Sequence, residues 1–239
     1  PPALLEAIAS RARSGDLKDI KIYSFFPTAV AMKTVLAVDL CDVITSYTWF
    51  VTGADRSRVR TGLSYFVPNY FHQIPKLCRE YMDIDTVVTV VSPMDKAGHF
   101  SFGASNDFIS TAARCAKRLI VEVNRNMPRV FGDSLLHVSE VHAIVENDAP
   151  LFAVPVAAPE PEDERIGKRI AALIPDGATI QLGIGALPDA VSRYLTSHRD
   201  LGIHTELFGP GMMELIRGGV VTGRRNTLHP RKHVYTVAT

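Results

Sequence analysis

The sequence predicts an α/β fold. Three observations carry the prediction: helical and strand-like patterns alternate almost throughout, one strand signal is an unbroken apolar run, and two distant helix–strand segments echo each other. Residues 1–16 open with a helix signal, a proline in the first turn followed by Leu4, Leu5, Ile8 and Ala12 at helical spacing. Residues 20–26 (IKIYSFF) and 40–50 (LCDVITSYTWF) read as β-branched and aromatic strands. Residues 86–93 (TVVTVVSP) form the apolar run, expected for a strand buried on both faces. Residues 106–118 read as a helix with a basic last turn, with Ser105 or Asn106 as its N-cap. Residues 119–124, 141–148 and 151–156 follow as strands.

The composition then shifts. Residues 157–165 (AAPEPEDER) hold two prolines and a run of acids, and read as a linker between a first domain, 1–156, and a second, 166–239. The other reading is a surface loop within one domain. Beyond it the expected order is helix 164–174, strand 176–182, helix 188–198, strand 203–208, short helix 211–219 and strand 233–239.

The echo relates residues 1–26 to 187–208. Both run from proline through an amphipathic helix to Asp-Leu and a strand ending in Phe, so that Asp16-Leu17 matches Asp200-Leu201 and Phe25 or Phe26 matches Phe208. A strand and glycine loop (DGATIQLGIGA) precede the second copy but not the first. If the halves are related, a similar strand and loop belong before Pro1, and both ends of the sequence read as cut.

Bulk properties narrow the function. Of the 239 residues 46% are hydrophobic, enough for a core. With 26 basic and 25 acidic residues, neither a nucleic-acid footprint nor an acidic tail is expected. Cys41, Cys78 and Cys115 lie far apart with no CxxC, which suits reduced structural thiols in the cytoplasm. No apolar stretch reaches the roughly 20 residues of a membrane span. The eight histidines offer no metal pattern: His137 and His142 are five apart, and Pro230 separates His229 from His233. No G-x-S-x-G elbow occurs.

The segment IQLGIGALPDAV, residues 180–191, joins an apolar strand to a helix through Gly183 and Gly185, with Pro188 at the expected helix start. Such a turn lets backbone approach a ligand closely, and the N–H groups beyond it hold an anion or polarise a carbonyl oxygen. A tight turn without a ligand is the plainer reading. A dinucleotide fingerprint fits less well, because Pro188 takes the place of its third glycine, although Glu206 falls near the position of a ribose-binding acid.

Four segments together (91–108, 121–146, 180–191 and 201–232) resemble the acetyl-CoA hydrolase/CoA-transferase family, in its 4-hydroxybutyrate, butyrate and itaconate CoA-transferase branch. The resemblance implies two related CoA-transferase-type α/β domains, the first lacking its N-terminal strand and glycine loop and the second truncated at its C-terminus. It implies transfer of coenzyme A between an acyl-CoA and a small carboxylic acid. A Glu carboxylate attacks the thioester, giving an acyl-glutamyl anhydride and then a glutamyl-CoA thioester, which the acceptor carboxylate resolves. The nucleophilic Glu is expected after Thr239, so these residues alone are expected to be inactive. Coenzyme A enters as a substrate, with no cofactor or metal, and a homodimer or higher homo-oligomer is expected. The alternatives are an acyl-CoA hydrolase, if water resolves the intermediate, and a nucleotide-binding α/β domain without catalysis.

Several residues are candidates for contact with the substrates. Gly183, Ile184, Gly185 and Ala186 are expected beside acyl-CoA, and Ser105 near the cleft unless it merely caps a helix. Asn126 and Met127 are expected toward the acyl group, with Arg129 as a surface charge. Glu206 either lines the site as an orienting carboxylate or ends a strand, bonded to backbone, whereas Glu122 and Glu146 read as structural. The aromatic segment 64–75 is read equally as an acyl or pantetheine channel and as a packed lid. Residues 223–232 (GRRNTLHPRK) carry four Lys or Arg and are read as meeting CoA phosphates or as a solvated turn.

Overall fold

The computed structural model describes residues 1–153 and 158–238, and in them the alternation of helix and strand is realised as two units. The first comprises Pro1–Gly103 and Phe108–Phe152, the second Ala104–Asp107 and Ala153–Thr239.

In the first unit α1 (Pro2–Arg13) starts on proline, whose missing N–H costs nothing in a first turn. Leu4, Ala9 and Ala12 form its buried face. It is followed by β1 (Ile20–Ser24), α2 (Ala29–Lys33), β2 (Ile44–Thr48), α3 (Arg56–Arg60) and β3 (Tyr65–Phe66), the strands forming a parallel sheet in the order β1-β2-β3. Ala9, Ala12, Val35, Leu36 and Ile44 share one core cluster. Next come α4 (Ile74–Glu80), β4 (Thr86–Val91), β5 (His99–Ser101), α5 (Ile109–Cys115), β6 (Arg118–Val123), β7 (Leu135–His137) and β8 (Ala143–Glu146). A second parallel sheet runs β4-β6-β8, and β5 pairs antiparallel with β7. The apolar run of β4 buries Val87, Thr89 and Val91 on one face, while Val88 and Val90 on the other face are only half-buried, so burial on both faces is incomplete.

The second unit contains α6 (Pro161–Ala171), β9 (Thr179–Ile180), α7 (Ala186–Tyr194), β10 (Gly202–Ile203), β11 (Leu207–Phe208), α8 (Pro210–Arg217) and β12 (Val237–Ala238). β9 and β10 are parallel, as are β11 and β12. Single bridges extend this ladder, Leu201 to Val221 and His204 to Val234 in parallel, and Ser105 to Val237 antiparallel. The core gathers Ile180, Val191, Leu195, Leu201, Ile203, Met212 and Leu215. α6 packs on α7 through Gly167, where a Cβ would come within 3.0 Å of the Ala190 backbone.

Several boundaries differ from the sequence expectations. α5 begins at Ile109 with Phe108 at its N-cap, so neither Ser105 nor Asn106 caps it; residues 104–107 instead pair with β12. α6 begins at Pro161, inside the segment read as linker, because Asp163 Oδ2 accepts from the Glu160 N–H in a capping box. The strand expected at 151–156 is absent from residues 151–153, and its remainder, like residue 157 of the linker and Thr239, lies outside the described residues. The strand expected at 203–208 is interrupted at Thr205 into β10 and β11.

The echo has a physical counterpart in register. Asp19 precedes β1 and Asp200 precedes the ladder residue Leu201, and both are left-handed, with φ of 52° and 53°. Asp tolerates that conformation better than most residues. The structural match is therefore Asp19 with Asp200, three residues from the match read in the sequence.

Candidate functional site

The glycine turn follows the C-terminal end of β9 in the second unit. After β9 the chain reaches Leu182, whose carbonyl lies 3.1 Å from Thr205 Oγ1; the same hydroxyl is 3.0 Å from the Leu207 carbonyl. Thr205 thus ties the glycine turn to the break between β10 and β11. Gly183, Ile184 and Gly185 are exposed, and Ala186 is the first residue of α7. Pro188 stands third in that helix rather than opening it.

The two glycines are there for different reasons. Gly185, the N-cap, has φ of 115°, which an L side chain resists. Gly183 has no such constraint, and a Cβ on it would meet only the Pro188 ring, at 3.8 Å. Nothing within this unit forbids a side chain there, so neither packing nor backbone strain accounts for glycine at this position.

A shallow dent with room for about one water molecule lies beside Gly183, walled by Leu182, Pro188, Asp189, Ser192, Gly209, Gly211 and Met212. The first turns of α7 and α8 face each other across it. Gly211 is needed because a Cβ would overlap Ser192 Oγ, and Ser192, itself buried, donates to the Asp189 carbonyl at 2.7 Å. Burial pushes the Asp189 carboxyl up from the usual range, against a smaller opposing pull from Arg193. Thr205 and the Gly209-Pro210-Gly211 turn have no counterpart in the sequence expectations, whereas Asp189 stands in the first turn of α7, the helix expected to follow the glycine turn. The available signal was the second glycine–proline helix start, only about 20 residues after the first, a spacing natural to repeated strand–turn–helix units.

The candidate residues divide between the units. Glu206 and Ser105 lie in one sheet, on either side of the β12 chain. The Glu206 carbonyl accepts from Thr236 N and Val237 N at 3.1 Å, while Ser105 bridges Val237 from the other side. The Glu206 side chain is exposed, and its carboxylate makes no hydrogen bond or ion pair among the described residues. Asn126 and Met127 belong to the first unit. Asn126 Nδ2 donates to the Asp148 carbonyl at 3.0 Å, bracing a loop, and Met127 is buried against Gly103, where a Cβ would overlap its Sδ. Arg129 is not a free surface charge: it pairs with Asp95 at 2.6 Å and donates to the His99 carbonyl. Glu122 is wholly buried, accepting from Leu4 N at 3.1 Å and Asn147 Nδ2 at 2.7 Å. In the aromatic segment Phe71 stacks on Phe25, whereas Tyr65, Phe66 and Tyr70 are exposed.

Among the described residues no group of three His, Cys, Asp or Glu is placed to hold a metal ion, and no helix is long and apolar enough to cross a membrane.

Residues 1–156 match the family model described as the acetyl-CoA hydrolase/transferase N-terminal domain. The chain is 45% identical over 188 residues to the 4-hydroxybutyrate coenzyme A transferase of Clostridium kluyveri, an alignment covering 78% of this chain and 44% of that protein. Against the succinyl-CoA:cyclohexane-1-carboxylate CoA transferase of Geobacter metallireducens the identity is 42%, covering 80% and 44%. The chain thus spans under half the length of these relatives. The crystal structure of RipA from Yersinia pestis superposes on all of this chain and 57% of its own, with a TM-score of 0.97 and 47% identity. A 4-hydroxybutyrate CoA-transferase from Porphyromonas gingivalis gives a TM-score of 0.74 and 35% identity, over 96% of this chain and 61% of its own.

Proposed function

The chain belongs to the acetyl-CoA hydrolase/transferase family, and from that premise we propose that it carries the coenzyme A-binding part of an enzyme that moves CoA between an acyl-CoA and a small carboxylic acid. The observation that carries this reading is Gly183: an exposed, unstrained glycine at the end of a parallel strand, beside a glycine-walled dent. There the pantetheine arm lies against backbone, and free N–H groups at the start of α7 meet its carbonyl oxygens. The names of the relatives support the reaction class, and 4-hydroxybutyrate is the acceptor that the Clostridium kluyveri relative's name offers.

In this reading the reaction passes through a glutamyl-CoA thioester, and the attacking glutamate lies outside the 239 residues. Glu122 is unsuited to attack because both its oxygens already accept hydrogen bonds in the core. Glu206 is open to solvent near the glycine turn, and it orients the incoming carboxylate or the thioester rather than forming the bond.

Two measurements test this. Calorimetric titration with coenzyme A is expected to show binding that Gly183→Val weakens by about tenfold or more, since the new side chain fills the approach surface. Equal binding by both proteins would remove the glycine turn from the site. Denaturing mass spectrometry after incubation with an acyl-CoA is expected to show no covalent adduct. An adduct abolished by Glu206→Gln would make Glu206 the nucleophile.

A further inference from the structure

Residues 223–232 were left between two readings by the sequence, and the fold gives them a definite shape. Asn226 is buried; its Nδ2 donates to the Lys232 carbonyl at 3.0 Å, and its Oδ1 accepts from Thr179 Oγ1 at 3.1 Å. It sits where Gly202 has no Cβ to obstruct it. Gly223 N donates to Leu201 O, and Arg231 N donates back to Gly223 O at 2.8 Å. Two residues of the loop, His229 and Arg231, hold left-handed backbone, with φ of 54° and 62°. Strain of that kind persists where the surroundings enforce one geometry. The loop is therefore built rather than slack.

This frame presents concentrated charge. Arg224, Arg225, Arg231 and Lys232 are all exposed, and none has a carboxylate partner among the described residues. From 218 to 238 the sequence holds these four cations and no acid, in a chain whose formal net charge is only +1. The stem of Arg225 lies across Gly177, which fixes where its guanidinium emerges. Asp200 accepts from the Thr222 hydroxyl and Asp176 from the Arg199 N–H.

We propose that residues 223–232 bind the phosphate groups of a nucleotide phosphorylated at two positions, as coenzyme A is. A pyrophosphate together with a separate phosphate monoester carries about four negative charges at neutral pH, which four cations match. Arginine adds paired donors suited to phosphate oxygens. The loop is anchored beside Thr179, and the glycine turn begins at Gly183, four residues on, or about 13 Å along an extended strand. The nucleotide end would be held at the loop while the pantetheine arm runs toward Gly183. The identity of the nucleotide rests on the coenzyme A reading above; the phosphate site rests on the loop alone.

The test is calorimetry on the 239-residue chain with three probes: coenzyme A, adenosine 3′,5′-bisphosphate and pantetheine. Arg224→Glu/Arg225→Glu is compared with a control of equal charge change on α6, Lys168→Glu/Arg169→Glu, all four being exposed positions. The loop variant is expected to weaken coenzyme A and the bisphosphate at least about tenfold and to leave pantetheine unchanged, with the control behaving as the parent. Coenzyme A binding equally to parent and loop variant overturns the loop and leaves the coenzyme A reading intact. Bisphosphate binding that depends on the loop, with no pantetheine binding, keeps the loop and overturns that reading. Failure of all three probes overturns both. Tighter, loop-dependent binding of a short RNA would overturn the nucleotide assignment in favour of nucleic acid.

Discussion

The two units use their polar groups in opposite ways. In the first, polar side chains that look functional in the sequence are spent on the fold itself: Glu122 holds Leu4 and Asn147, Asn126 braces residues 148–149, and Arg129 pairs with Asp95. In the second, comparable groups stay open: the Glu206 carboxylate, the four cations of 223–232 and the face of Gly183. A buried polar group must find a partner or cost stability, so satisfied groups mark scaffold. Open groups at strand ends and on built loops are bonded by water, which a ligand can replace without breaking the scaffold.

The contrast is most severely tested at Glu122. Glu122→Leu leaves the Leu4 N–H and the Asn147 amide without an acceptor and is expected to destabilise the first unit by about 3 kcal/mol, measured by chemical denaturation. Coenzyme A binding by the protein that remains folded is expected to be unchanged; a selective loss of binding would make Glu122 part of the site and erase the distinction. A smaller effect is expected within the second unit, where Gly211 is structural and Gly183 is not. Gly211→Ala forces a methyl onto Ser192 and is expected to cost about 2 kcal/mol, whereas Gly183→Ala is expected to stay within about 0.5 kcal/mol. Equal costs would mean that Gly183 is also a packing glycine.

The smallest expected effect depends on pH. Burial lowers the His233 imidazole below its ordinary value, so the folded unit favours the neutral ring. The resulting stability is present above about 6.5 and is lost as the pH falls through the lowered folded value. Hydrogen exchange in β9 and β10 is expected to be faster at pH 5 than at pH 7 once corrected for the intrinsic rate, and His233→Gln is expected to remove that difference. An unchanged difference in the variant would assign the pH dependence elsewhere.

Much of the fold was legible in the sequence because apolar periodicity survives in any context. α1, β1, β4, β6 and α7 stand where the pattern puts them, to within a few residues. Tertiary demands overrode the pattern elsewhere. Residues 105–106 look like a helix cap but are drawn into pairing with β12, and Thr205 turns its hydroxyl toward two carbonyls and breaks an expected strand. Of the candidate site, the sequence marks the glycine turn. Gly211 is not marked in this way, because its role depends on α7 and α8 facing each other, a proximity that no local signal encodes. Asn126 and Met127 serve as a loop brace and a buried side chain, because a strand-end position attracts functional residues and loop braces alike.

The pairing of residues 104–107 with β12 also bears on how such chains can be divided or recombined. A polypeptide beginning at Ala153 would carry the second core but leave the outer edge of β12 bare, with the Ala238 N–H and the Thr236 carbonyl deprived of Ala104 and Asn106. An open edge of this kind invites pairing with other molecules. Exchange of this half between relatives therefore has to carry a short piece of the other half with it, so the heritable module is discontinuous even though the composition shift at 157–165 suggests a clean seam.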